Sequence, residues 1–131
     1  MKIDLHSHSY YSDGLLSPSE VVRLASKANC DLFSLTDHDT TDGIAEAKLE
    51  ADKVGLNLIS GVEISAFWRN MAIHIVGLGV DVKNDILQAG LEHNKELRKI
   101  RAEKIALSLW RSGIKDALEK AQMVSRGQMH P

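Results

Sequence analysis

The order of apolar and polar residues predicts that the chain begins with a strand followed by a helix. In residues 2–8, KIDLHSH, apolar and polar residues alternate, which is typical of a strand with one apolar and one polar face. The helix begins after Ser17, a favourable N-cap residue, with Pro18 in the first helical position. Glu20 completes a capping box with Ser17, so a loop must join the strand to this helix.

Three further apolar segments predict three more strands. Residues 31–36 and 56–64 are short and mostly apolar, as in buried strands. Between them, residues 42–54 predict a helix that Gly55 ends. Residues 72–80 predict a fourth strand, and the short connection FWRN before it could form a hairpin.

The rest of the chain predicts a long helix over residues 84–112, ended by Gly113, and a shorter helix over residues 115–124. Strand, helix, strand, helix, strand is the signature of a parallel sheet with right-handed crossovers. Four strands with three or four helices make half of an α/β barrel, because a closed barrel needs roughly twice this length. We therefore expect an α/β fold whose two unpaired sheet edges favour self-association.

Composition and charge narrow the class of protein. The chain has 131 residues, of which 44% are hydrophobic and 26% charged, as in one globular domain. The formal net charge of -2 gives no long-range attraction to nucleic acid. No apolar run is long enough to span a bilayer, and no leader precedes the first strand. We expect a cytoplasmic protein that does not bind membranes.

Histidines and carboxylates occur where the first three predicted strands end, and His74 lies inside the fourth. The carboxyl ends of the strands of such a fold gather on one rim, so these side chains are expected to converge. Imidazole with carboxylate suits zinc, manganese or iron better than calcium or magnesium. The sequence therefore predicts a metal site at this rim. The candidate ligands are His6, His8, Asp13, His38, Glu63 and His74.

Each of these segments, taken alone, also has a purely structural explanation. A pair of histidines at alternate positions can be a polar strand edge, and the segment DHDTTDG can be a loop with a helix cap. His74 alone can be a core histidine that makes its own hydrogen bonds. The occurrence of all of them at one rim favours metal binding. Asp4 is a candidate partner for an imidazole, whereas His93, in the middle of a helix, is expected to be solvated.

The segments DLHSHSYYSDG, LTDHDT, GVEIS and HIVGLG together resemble the polymerase and histidinol phosphatase (PHP) family of metal-dependent phosphoesterases. The resemblance spans about residues 2–80 and looks closest to small bacterial members, which include 5′-to-3′ exoribonucleases and phosphatases of nucleoside 3′,5′-bisphosphates. It implies that residues 1–131 are a truncated PHP domain, the N-terminal half of a distorted seven-stranded (β/α) barrel. It also implies two or three divalent metal ions, manganese, zinc or iron rather than magnesium.

The same resemblance implies a role for each candidate residue. One ion would be held by His6, His8 and Glu63, a second by Glu63 and His74, and a third by Asp13 and His38. Asp37 and Asp39 would shape the loop around the ligands. Arg126 would bind a substrate phosphate, although Gln128 and Met129 replace the histidine expected just after it. The family's further ligands come from the second half of the barrel and have no counterpart here, so metal binding is expected to be weakened.

The activity implied by the resemblance is hydrolysis of a phosphate ester, in nucleotides or short RNA, by a hydroxide that bridges two ions. Three alternatives stay open at this stage. A histidinol phosphatase would share the metal site, and a non-catalytic PHP module would explain the absent second half. An amidohydrolase also begins with HxH, but it would need a metal-bridging lysine, and residues 56–80 contain none.

Overall fold

The computed structural model describes residues 1–125, and the order of its elements follows the predicted order of strands and helices. Arg126 and His130 therefore lie outside the described residues. The strands are β1 (Ile3–Asp4), β2 (Leu32–Leu35), β3 (Asn57–Trp68) and β4 (Met71–Leu78). The helices are α1 (Pro18–Lys27), α2 (Ile44–Val54), α3 (Asp85–Arg111) and α4 (Ala117–Val124).

The four strands form one sheet in the order β1-β2-β3-β4, which confirms the predicted half-barrel. The first three strands are parallel, whereas β4 pairs antiparallel with β3. Arg69 and Asn70 alone form the connection between β3 and β4, with φ angles of 49° and 62°. Two residues at positive φ are typical of a tight hairpin turn. Phe67 and Trp68, expected in the connection, belong to β3 instead.

The first strand is shorter than its alternating sequence predicted, and the prediction of a strand over residues 2–8 is wrong beyond Asp4. The backbone N–H of His6 donates to Oδ1 of Asp4 (3.2 Å), which turns the chain locally. Ser7 still lies beside the end of β2, where its carbonyl accepts from the N–H of Thr36 (2.8 Å). His6 and His8 therefore project from irregular backbone that follows β1.

The hydrophobic core lies between the sheet and the first two helices. Burial of these apolar side chains, each worth about 1.5–3 kcal/mol for a large residue, is the main stabilising contribution. Gly55 ends α2 in a left-handed conformation (φ 73°), as its position predicted. Within residues 1–125 no helix combines the length and apolar character needed to cross a bilayer. The core side chains are Val22, Phe33, Leu35, Ile44, Ala47, Ala51 and Leu56.

The capping box predicted at the start of α1 is present. Oγ of Ser17 accepts from the N–H of Glu20 (3.2 Å), and the carboxylate of Glu20 accepts from the N–H of Ser17 (2.8 Å). We expect Ser17→Ala to lower the free energy of unfolding in urea by about 1 kcal/mol, since an N-terminal N–H loses its partner. Ser17→Asp, which keeps an acceptor, should stay close to wild type. Equal losses in both variants would contradict this role of the hydroxyl.

Candidate metal centre

The backbone places the loop after β2 directly against Glu63. The N–H of Glu63 donates to the carbonyl of Asp37 (3.0 Å), and the carbonyl of Glu63 accepts from the N–H of Asp39 (2.9 Å). These two hydrogen bonds form an isolated parallel bridge between His38 and Glu63. The two residues lie 25 positions apart in sequence but side by side at the rim of the sheet.

The carboxylate of Glu63 is the centre of the cluster, and only 5% of the residue is exposed. Its Oε2 lies 2.9 Å from Nε2 of His6, 3.0 Å from Nε2 of His8 and 3.6 Å from Nε2 of His38. Its Oε1 lies 3.1 Å from Nδ1 of His74. The two oxygens therefore face two different sets of imidazoles, as a carboxylate between two cations does.

Asp13 closes the cluster on its solvent side. Its Oδ1 lies 3.2 Å from Nδ1 of His8, and its Oδ2 lies 3.2 Å from Nε2 of His38. In each of three groups the ligand atoms lie within 4.8 Å of one another, close enough to hold one ion. The groups are His6, His8 and Glu63; His8, Asp13 and His38; and His38, Glu63 and His74.

Asp37 holds the loop that carries His8 and Asp13. The residue is 2% exposed, and its carboxylate accepts three hydrogen bonds: from the N–H of Ser9 (2.6 Å), from Oγ of Ser9 (2.7 Å) and from Oγ of Ser12 (2.7 Å). The loop then closes tightly at Gly14, where a Cβ atom would lie 2.6 Å from the carbonyl oxygen of His8. Asp37 thus contacts the loop and not the imidazoles.

We expect Asp37→Asn to lower the free energy of unfolding by about 2 kcal/mol and to weaken metal binding. The amide would turn an NH₂ group towards N–H and O–H donors, so at least one buried donor would lose its acceptor. Urea unfolding and calorimetric titration with manganese would measure the two effects. Asp52→Asn, at an exposed position of α2, is the matched control. Wild-type stability in Asp37→Asn would show that the three hydrogen bonds do not hold the loop.

Asp39 lies in the loop after β2, connects this loop to α3 and is fully buried. Its Oδ2 accepts from Nε of Arg98 (2.8 Å) and from Oγ of Ser65 (2.7 Å). Its Oδ1 accepts from Nδ2 of Asn94 (2.9 Å) and from the N–H of Ser65 (2.9 Å). The pKa of Asp39 is lowered: burial alone would raise it, but the hydrogen bonds from Ser65, Arg98 and Asn94 outweigh burial. The carboxylate therefore stays ionised inside the protein.

The protonation states favoured at the centre are those of metal ligands. Burial lowers the pKa of His38 and outweighs the opposite effect of Glu63 and Asp13, so its imidazole is neutral at pH 7. Burial raises the pKa of Glu63, but the hydrogen bond from His6 and the nearby histidines lower it overall, so the carboxylate is ionised. Neutral imidazole and ionised carboxylate are the forms that bind cations.

The donor set fits small clustered cations. Imidazole nitrogens and carboxylate oxygens converge on a partly buried centre, and Nδ1 of His38 is buried without a hydrogen-bond partner among the described residues. The residues present could therefore hold divalent metal ions.

The structure brings together all the predicted ligands that lie within its described part, and it corrects one detail around them. Asp4 contacts the main chain at His6 and not an imidazole. His93 is exposed on α3, as expected. Arg126 stays a prediction. Sequence reasoning missed Asn94 and Arg98, whose four-residue spacing on α3 gives both the same helix face but does not reveal Asp39 as their partner.

Comparison with known proteins identifies the family of this chain. The family model described as the PHP domain matches residues 4–119. The chain belongs to the PHP domain family. A 5′-3′ exoribonuclease from Haemophilus influenzae is 44% identical over 128 residues, which cover 98% of this PHP chain and 47% of that protein. A 3′,5′-nucleoside bisphosphate phosphatase from Chromobacterium violaceum is 42% identical over 131 residues, covering 95% of this chain and 46% of that protein.

A solved structure shares the fold of this PHP domain closely. It comes from Chromobacterium violaceum and is described as an amidohydrolase with bound sulfate and no metal. The TM-score is 0.89 at 42% identity, over 94% of this chain and 43% of that chain. The chain thus spans about half the length of the curated relatives it matches. Residues 56–80 of this chain contain no lysine, the residue that the amidohydrolase alternative would need as a metal bridge.

Proposed function

We propose that this PHP domain belongs to a metal-dependent phosphoesterase that hydrolyses phosphate esters of nucleotides or short RNA. The observation that carries the proposal is the Glu63 carboxylate, which lies within 3.6 Å of nitrogen atoms of four imidazoles. The similarity to an exoribonuclease and to a nucleoside bisphosphate phosphatase supports the substrate class. Both relatives are about twice as long as this chain, so the activity is proposed for the protein as a whole.

Each proposed ligand has a defined part in the site. Glu63 would link two ions through its two oxygens, with His6 and His8 at one and His74 at the other. Asp13 and His38 would hold a third ion. Divalent ions supply charge neutralisation at a phosphoryl oxygen and lower the pKa of bound water to about 7.

The chain's own residues would orient the substrate and keep the ligands in the correct charge state. Because His38 is neutral and Glu63 ionised, neither has to lose a proton before binding a cation. The side chains of His6, Asp13 and His74 are 53%, 48% and 46% exposed, so a substrate phosphate would reach the cluster from solvent. Four imidazoles favour manganese, zinc or iron over magnesium.

Phosphate release from adenosine 3′,5′-bisphosphate tests the proposal directly. The purified protein would be incubated with manganese, zinc, iron or magnesium in turn, and free phosphate and mononucleotides from a short 5′-phosphorylated RNA would be measured. We expect activity that requires a divalent ion and disappears on chelation. Histidinol phosphate, offered in parallel, distinguishes the histidinol phosphatase alternative.

Metal content separates an enzyme from a non-catalytic module. Two or three equivalents of metal per chain, by elemental analysis, are expected for the enzyme. A protein that binds these metals but releases phosphate from neither nucleotide nor RNA would contradict the proposed substrates. A protein that binds no metal would contradict the site itself.

We also propose that the protein self-associates through the edge of β4. Within residues 1–125, β4 pairs with β3 alone, and its side chains Met71, Ile75 and Leu78 are between 43% and 57% exposed. Such edges favour pairing with another strand. Light scattering over a range of protein concentrations would show a dimer, and a strictly monomeric protein would contradict the proposal.

A further inference from the structure

A cavity of about 550 Å³ opens beside the metal centre and extends away from it. Asp13, His38 and His74 form the wall at the centre. α3 forms the facing wall, to which it contributes Leu97 and Arg101 among others. A cavity of this size is in the range of small-molecule sites, which occupy about 300–1,000 Å³. The metal centre uses only one end of it.

Two arginines line this cavity, and only one of them is already engaged. Arg98 donates to Asp39 (2.8 Å) and to Oγ of Ser65 (2.8 Å), so its charge is balanced inside the protein. Arg101 follows one helical turn later on the same face, is exposed, and makes no salt bridge to a carboxylate within residues 1–125. Arg101 therefore places an unbalanced positive charge in the cavity.

The position of Arg101 separates its role from that of the metal ligands. Arg98 contacts Asp39, the residue after His38, so this part of α3 lies next to the centre. Arg101 lies about 4.5 Å further along the helix axis, at 1.5 Å of rise per residue. Arg101 belongs to none of the three candidate ligand groups, so a group bound there would be additional to the groups bound by the proposed ions.

The cavity is also lined by apolar side chains. Phe67 and Leu97 both line it, and their side chains are 75% and 49% exposed. Exposed aromatic rings in a nucleotide-binding cavity stack on bases, for about 1–3 kcal/mol per base. A cavity that combines candidate metal ligands, a positive charge at Arg101 and an exposed aromatic ring matches a nucleotide that carries two phosphates.

We propose that this cavity is a subsite for the second phosphate of a nucleotide substrate, the one that is not hydrolysed, and that Arg101 binds it. This inference rests on the proposed function. A planar guanidinium can donate two parallel hydrogen bonds to a phosphate. The second phosphate is either a terminal monoester, as in a nucleoside bisphosphate, or the next phosphodiester of RNA, and both offer the same oxygens to Arg101.

Binding without turnover tests the subsite. Calorimetry on the metal-loaded protein, with every nucleotide used as an analogue whose phosphates are replaced by non-hydrolysable phosphonates, would compare adenosine 3′,5′-bisphosphate with the two adenosine monophosphates, each of which lacks one phosphate. In the wild-type protein we expect the bisphosphate to bind at least about tenfold more tightly than either monophosphate, equivalent to about 1.4 kcal/mol. In Arg101→Met this preference should disappear, whereas Arg111→Met, at an exposed position of the same helix outside the cavity lining, should keep it.

The dinucleotide pApA is measured as a further ligand. It distinguishes a second phosphate that is a terminal monoester from one that is a phosphodiester of RNA. A preference for pApA over the monophosphates that depends on Arg101, without one for the bisphosphate, would assign the subsite to RNA. Equal binding of one and two phosphates by wild type, or a preference that survives in Arg101→Met, would overturn the inference. Failure of the proposed function is separately visible, because the metal-loaded wild type would then release no phosphate while the binding preference persists.

Discussion

Glu63→Gln is expected to remove bound metal and to lower phosphate release by at least about a thousandfold. Glutamine keeps the shape of the side chain but has no charge, and its NH₂ group would face an imidazole nitrogen in place of an oxygen. Glu63 supplies the carboxylate of two of the three candidate ligand groups, so both groups would lose it. Each 1.36 kcal/mol of transition-state stabilisation that is lost lowers the rate about tenfold. The loss of several kcal/mol of charge stabilisation therefore lowers the rate about a thousandfold. Elemental analysis and phosphate release would measure the two effects.

The matched control for this variant is Glu96→Gln, on the exposed surface of α3. It removes the same charge from the protein and should change neither metal content nor activity. Circular dichroism would verify that both variants fold. If Glu63→Gln retained two metal equivalents and near-normal activity, the centre around Glu63 would not be the active site.

The composition of the centre could be predicted from sequence because of one property of parallel sheets. His38 follows β2, and Glu63 lies in β3 just beyond the part that pairs in parallel with β2; the carboxyl ends of parallel strands lie on the same rim. The prediction that His38 and Glu63 lie together required no knowledge of the contacts between them. The connection after β3 was harder to predict, because the hairpin extends β3 to Trp68 and carries His74 back towards Glu63.

The first strand shows where the alternating pattern misleads. Alternation predicted that His6 and His8 share one face of a strand, yet β1 ends at Asp4. The hydrogen bonds of Asp37 to Ser9 and of Ser7 to β2 shape the backbone there. Nevertheless the rings of His6 and His8 lie 5.1 Å apart, because both turn towards Glu63. The convergence of the two imidazoles was predicted, but the local structure that presents them was not.

The contacts of α3 could not be predicted from sequence. Its apolar residues do not form a single stripe, so the pattern does not reveal which face packs against the sheet. Asn94 and Arg98 lie 55 and 59 positions after Asp39, and their pairing depends on the path of the chain through the hairpin. A buried carboxylate beside His38 required such partners, but many polar residues in the sequence could have supplied them.

Arg98→Met is expected to lower the free energy of unfolding by about 3 kcal/mol, the largest stability effect predicted for this protein. Arg98 is 15% exposed and Asp39 0%, so methionine would leave an ionised carboxylate buried without its cation. Removal of one partner of a buried ion pair costs about 3–5 kcal/mol, and the hydrogen bonds from Ser65 and Asn94 to Asp39 favour the lower value. Urea unfolding monitored by circular dichroism would measure the loss.

Arg101→Met is the matched control, because it makes the same substitution one helical turn away at an exposed position. It should leave stability within about 0.5 kcal/mol of wild type. The double variant Asp39→Asn with Arg98→Met separates charge from packing: it removes the unpaired carboxylate, so it should be more stable than Arg98→Met alone by about 1 kcal/mol or more. A double variant as unstable as the sum of the single variants would mean that Arg98 stabilises α3 by packing alone. In that case Asp39 and Arg98 would not couple the loop of His38 to α3.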